Sequence, residues 1–167
     1  MRRAFLPFTL LILSAATLQA GVATVPVVRL TLEAEIAAPP ETVWKHLTTG
    51  KNLVTWCPVW KSETNASVVL TKVGDSLDFT DAWGNGGRSV VTFLAAGKEL
   101  RVTHEPNDGS YLCASRVTIA AAGKGTRLTW VEQYTDESAE ADRNATAAKM
   151  TEDMQASIEA LKQGVEP

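Results

Sequence analysis

The residues able to do chemistry in this 167-residue chain are two histidines, two cysteines and scattered carboxylates, almost none of them neighbours in sequence. His104 stands in a run, 99–105, whose alternation puts it on one face with Leu100 and Val102. A histidine on an inward face beside a carboxylate can take or give a proton near neutral pH. Two carboxylates qualify by the same alternation: Asp81, sharing a face with Leu77, Phe79 and Trp83, and Glu132, sharing one with Leu128, Trp130 and Tyr134. Desolvation in an apolar pocket favours the protonated carboxyl, which suits acid or base work. The alternative for His104 is a structural histidine near a strand end. His46, beside Trp44 on a short predicted helix, reads as a surface residue.

Cys113 shares a strand face with Tyr111, Ser115, Val117 and Ile119. As a nucleophile it needs a base beside it, and His104 falls on what should be the neighbouring strand. Cys57 and Cys113 form a disulfide only if their Cα atoms come within bonding range, so a bridge and two free thiols both stay open. No metal is expected, because zinc usually draws several His or Cys ligands at close spacing and these are far apart. His104, Asp81 and Glu132 would make a ligand set only if three strand faces converged. Gly84 to Gly87 precedes a strand and lacks a following Lys-Ser or Lys-Thr, so it is not read as a phosphate loop, and no cofactor is expected.

Trp56 and Trp60 flank Cys57, Pro58 and Val59. They suit stacking on a flat ligand as well as filling a core. Phe79, Trp83, Val102 and Tyr111 project from inward faces, as do Cys113, Val117, Trp130 and Tyr134. Together with Met150 and Met154 they make a candidate ligand-binding surface: apolar and aromatic, with few polar groups.

The elements that must position these residues follow from periodicity. The segment 137–165 reads as one long amphipathic helix, with Ala147, Met150, Met154, Ile158, Leu161 and Val165 on one stripe. Such a helix must lie on something, and a run of strands precedes it. Residues 27–36 alternate as a first strand. Pro39 and Pro40 suit the start of a short helix to about Thr48, and a second is expected over 52–56. Strands are expected over 59–69 (weakly), 73–83, 88–94, 99–105, 110–120 and 126–134, with turns at Gly84-Asn85-Gly86-Gly87, Pro106-Asn107-Asp108-Gly109 and Gly123-Lys124-Gly125. Short links make the sheet antiparallel.

Residues 1–20 read as an export signal: Arg2 and Arg3 precede an apolar run too short to span a membrane comfortably, with cleavage expected near 20–23. A periplasmic or secreted protein without stable membrane insertion is therefore expected, with residues 24–165 as a single domain. Removing the signal leaves 14 basic residues against 19 acidic ones, a net charge of −5. That balance, without basic clusters, argues against nucleic-acid partners.

Ala37-Ala38-Pro39-Pro40-Glu41-Thr42-Val43-Trp44 after a first strand, Gly74-Asp75 opening a later one, Gly125-Thr126-Arg127-Leu128-Thr129-Trp130 in the last strand and the closing helix resemble the START-related, polyketide-cyclase-like (SRPBCC) superfamily. The resemblance implies an α+β helix-grip fold: a curved seven-stranded antiparallel sheet wrapped around the C-terminal helix, two short helices after the first strand, and a cavity between. It implies a small hydrophobic ligand, lipid or polyketide-like and aromatic. The alternatives are a cyclase or dehydratase using His104 with Asp81 or Glu132, and an interaction module with a filled core.

Overall fold

The computed structural model describes residues 24–81 and 83–167; the expected export signal lies outside the described residues. Strand β1 (Val27–Ile36) leads through Ala37-Ala38-Pro39 into α1 (Pro40–Thr48) and α2 (Gly50–Trp56). Five strands follow: β2 (Ser76–Thr80), β3 (Gly86–Ala95), β4 (Glu99–Pro106), β5 (Cys113–Ala122) and β6 (Gly125–Thr135). The chain closes with α3 (Glu140–Val165). The strands form one antiparallel sheet in the order β1-β6-β5-β4-β3-β2, so the last strand pairs back onto the first. The fold is α+β, with the long helix against an open antiparallel sheet. Among the described residues no helix is long and apolar enough to cross a membrane.

The sheet has six strands, one fewer than expected. The missing strand is 59–69, which instead forms two 3-10 turns, Pro58–Trp60 and Thr64–Ser67, and keeps only a single bridge between Val69 and Thr49. Pro58 fixes φ and lacks a donor at the first turn. The buried Asn65 side chain then donates to the carbonyls of Trp60 and Asp78 (2.8 and 2.7 Å) and accepts from the Asp78 amide (2.9 Å). One side chain thus occupies the backbone groups of β2 that another strand would have used. Gly50 completes the arrangement: a Cβ there would lie 1.8 Å from the Asn65 carbonyl, so only glycine lets α2 start at this place.

Two other boundaries move for the same kind of reason. Strand β2 is shorter than the alternation over 73–83 suggests. At one end Asp75 accepts from the amides of Thr71 and Lys72, and at the other Asp81 accepts from those of Trp83 and Asn85. These carboxylates tie loops, and the strand ends where they do. The helix begins at Glu140, not Glu137, because β6 runs on through Thr135 and Asp136 accepts from the Ser138 amide in the following turn.

Burial follows the alternation closely. Leu77, Phe79, Leu100, Val102, His104, Cys113, Ser115, Val117, Leu128, Trp130, Glu132 and Tyr134 are all buried on the face toward the helices. Along α3 only Met154, Ser157, Ile158 and Leu161 are fully buried. The first three turns of the helix therefore stand away from the apolar core.

Candidate functional site

Between β2, β4, β5 and β6, the Pro58–Trp60 turn and the middle of α3 lies a cavity of about 540 Å³. Its walls are apolar and aromatic: Trp60, Phe79, Trp130, Met150 and Met154, with Cys57 and Cys113. Trp83 stands at its mouth, 60% exposed, and Lys149 and Asp153 pair across one turn of α3 beside it. Gly87 serves the wall, since a Cβ there would sit 2.5 Å from the Phe79 ring.

The polar groups gather at one place. The register sets His104 opposite Cys113, and Ser115 opposite Glu132. His104 Nδ1 lies 2.8 Å from Ser89 Oγ, which accepts from Trp60 Nε1 (2.8 Å). His104 Nε2 lies 2.9 Å from Ser115 Oγ, which donates to Glu132 Oε2. Hydrogen bookkeeping fixes the direction. Ser115 spends its only hydrogen on Glu132, so Nε2–H must donate to Ser115 and Nδ1 must accept from Ser89. The result is one directed chain from the Trp60 indole through Ser89, His104 and Ser115 to the Glu132 carboxylate. Glu132 accepts further bonds from Trp130 Nε1 (3.0 Å) and Cys113 Sγ (2.8 Å). Its Oε1 lies 3.7 Å from His104 Nε2. The imidazole stacks on Trp60 and meets Phe79 edge-on.

Burial lowers the pKa of His104 below its ordinary value, and the Glu132 charge only partly offsets this. Burial pushes the Cys57 thiol up to about 12. Burial, then the Glu132 charge and its hydrogen bond, push the Cys113 thiol up further still. Both cysteines are free thiols, and each is in the protonated, unreactive form at neutral pH.

Of the three acid–base candidates, the fold brings His104 and Glu132 together and leaves Asp81 apart. Asp81 gives its oxygens to the Trp83 and Asn85 amides, the Asn85 side chain and the Tyr111 hydroxyl (3.3 Å). It lines the cavity as a loop anchor. Among the expected ligand contacts, Trp60, Phe79, Trp83, Cys113, Trp130, Met150 and Met154 line the cavity. Trp56, Val102, Tyr111, Val117 and Tyr134 do not. Trp56 donates to the His46 carbonyl and backs Trp60 and Trp130 edge-on. Val102 and Val117 lie in the core with Ile158 and Leu161. Tyr111 is held by Asp81, and Tyr134 is buried with a hydroxyl that no protein atom satisfies. His46 is half-buried, its Nδ1 3.0 Å from the Thr42 carbonyl. Ser89 and Ser115 complete the site without any sequence signal of their own: Ser115 shares the inward face of Cys113 and Val117, but nothing in sequence marks a serine as a histidine's partner.

A sheet closed by a long C-terminal helix over a cavity defines the class of protein. Within it, the chain belongs to the family described as "Polyketide cyclase / dehydrase and lipid transport", whose model matches residues 27–166. A solution structure of a Bacillus halodurans protein is similar in fold at TM-score 0.66 and 19% identity, covering 86% of this chain and 100% of that one. A Mesorhizobium loti crystal structure matches at TM-score 0.61 and 20% identity, over 81% of this chain and 95% of that one. One from Chromobacterium violaceum matches at TM-score 0.61 and 20% identity, over 83% and 97%. A search of curated proteins finds no match.

Proposed function

We propose that this protein binds a small hydrophobic molecule, a lipid or a polyketide-like aromatic, in the cavity under α3. The observation that carries the reading is a cavity of about 540 Å³ walled by three aromatic rings and two methionines. That size and lining suit a small-molecule ligand, and a filled-core interaction module has no use for the space. The family's description, which includes lipid transport, points the same way. The N-terminal sequence supports a periplasmic or secreted setting, tested by fractionation and by sequencing the mature N-terminus.

The test is displacement of an environment-sensitive apolar dye by a panel of lipids and planar aromatics. Met154 is buried in the cavity wall. Met154→Trp should abolish dye binding at a stability cost of about 1–3 kcal/mol, the usual range for overpacking. Undiminished dye binding in that variant would move the ligand elsewhere.

A second reading is favoured by the chain His104–Ser115–Glu132, which offers a route for a proton between imidazole and carboxylate at the cavity wall. On this reading the protein is a cyclase or dehydratase with His104 as acid–base group. His104→Gln should then keep ligand affinity and lower turnover by about a hundredfold or more. Equal turnover in both proteins leaves binding as the function.

A further inference from the structure

Glu132 is a buried carboxylate whose only ion-pair contact among the described residues is the imidazole of His104. Among the described residues no Lys or Arg pairs with it: Lys149, which lines the same cavity, is paired with Asp153 on its own helix. Buried charges in proteins are paired or coordinate metals. The nearest groups here are ligands by chemistry. A ring nitrogen of His104, Cys113 Sγ and a Glu132 oxygen all lie within 4.8 Å of one another, on three adjacent strands, and all three residues are buried. We propose that His104, Cys113 and Glu132 form a mononuclear site for a divalent transition-metal cation of the zinc class, open on one side to the cavity.

The ligand atoms are already sorted. Glu132 Oε2 is taken by Ser115 and Trp130, while Oε1 lies 2.8 Å from Cys113 Sγ and 3.7 Å from His104 Nε2. The other imidazole nitrogen faces Ser89 Oγ at 2.8 Å, the outer-shell contact that orients a metal-bound histidine. An imidazole, a thiolate and a carboxylate suit zinc and its neighbours, whereas magnesium and calcium take all-oxygen sets. Three protein ligands leave one tetrahedral position free. All three residues line the cavity, so that position faces the space a ligand would occupy.

Binding is balanced in protons. The Cys113 thiol loses its proton to solvent, and sulfur donates a lone pair to the metal. The ring proton of His104 moves from Nε2 to Nδ1, where Ser89 Oγ accepts it, and Nε2 donates its lone pair. Glu132 binds through Oε1 without a proton change. Nothing is oxidised or reduced.

The sequence argued against a metal because no two ligands are close along the chain. The sheet register removes that objection: it sets His104 opposite Cys113, and Glu132 opposite Ser115, the next residue on the same face of β5.

The test uses the full chain stripped by a chelator and titrated with Zn²⁺, then Co²⁺ as a spectroscopic substitute. The expected result is one metal per chain, a thiolate-to-cobalt charge-transfer band and the visible intensity of tetrahedral Co²⁺. Cys113→Ser should lose the band. Cys113→Ser and Glu132→Gln should each weaken binding by more than the roughly 10–100-fold that follows loss of an outer-shell partner. Cys57→Ser, which removes the other free thiol lining the cavity, should keep the band. Should the ligand variants fail to fold, X-ray absorption of wild-type zinc protein decides: one sulfur at about 2.3 Å with nitrogen and oxygen at about 2.0–2.2 Å is expected. Non-stoichiometric binding, an all-oxygen shell, or a band that survives Cys113→Ser overturns the proposal. Dye binding by the metal-free protein keeps the outcome separate, since the hydrophobic-ligand reading stands or falls on that alone.

Discussion

His104 sits in the middle of a buried hydrogen-bond chain, and that makes its protonation a matter of stability as well as chemistry. Both ring nitrogens have serine partners, and burial holds the folded-state pKa below the ordinary value of 6.5. The unfolded chain therefore binds the proton more readily. Stability is fully present above about pH 6.5 and declines as pH falls toward the lowered folded value. In metal-free protein, urea melts between about pH 5 and pH 7 should show this decline, and His104→Gln should lack the histidine's share of it. Equal slopes in the two proteins would contradict the account. The cysteines give a second prediction at this scale. Unfolded, non-reduced protein should titrate two thiols, and the folded protein should react slowly at both, because each is buried and held in its thiol form.

Among the elements, the segment between α2 and β2 carries an unusual share of its order on one side chain. Asn65 is 1% exposed and makes three hydrogen bonds to backbone groups. Asn65→Ala would orphan the Asp78 carbonyl and amide, while the Trp60 carbonyl keeps the Ser62 amide as a partner. A loss of about 2–4 kcal/mol is expected, at about 1–3 kcal/mol for each buried group left unsatisfied and with partial rehydration. Denaturant midpoints measure it. The loss should also weaken ligand binding, because Trp60 is both cavity wall and the partner of Ser89. A variant with full stability but weakened binding would mean that Asn65 orders the wall without holding the fold.

Across the whole molecule, stability should be uneven in a functional direction. Strands β4, β5 and β6 occupy the middle of the sheet and carry the cavity's polar groups. The α3 segment 140–153 has no fully buried residue, whereas Met154, Ser157, Ile158 and Leu161 anchor the rest. Amide exchange should therefore be slowest in the central strands and the last three turns of α3, and fastest in its first three turns. Because Lys149, Met150 and Asp153 line the cavity, a ligand bound as proposed should enter through this looser half of the helix. A saturating ligand should slow exchange there more than in the sheet. Uniform protection along α3 would refute this route of entry.

The alternation of Leu77 with Phe79, Val102 with His104 and Trp130 with Glu132 was enough to assign inward faces, because side chains in strands alternate with period two and one face must be buried. The closing helix and the two short helices were equally legible from their spacing and prolines. The tertiary structure alone decided what lies beside what. Asp81 and Glu132 look alike in sequence, yet one ties a loop and the other meets His104, because a carboxylate near a strand end finds free amides while one in mid-strand does not. The strand expected over 59–69 is absent because Asn65, a single polar side chain, occupies the edge of β2. His104, Cys113 and Glu132 come together through the pairing of β4 with β5 and β5 with β6, contacts between residues 9 to 28 positions apart that no local pattern encodes.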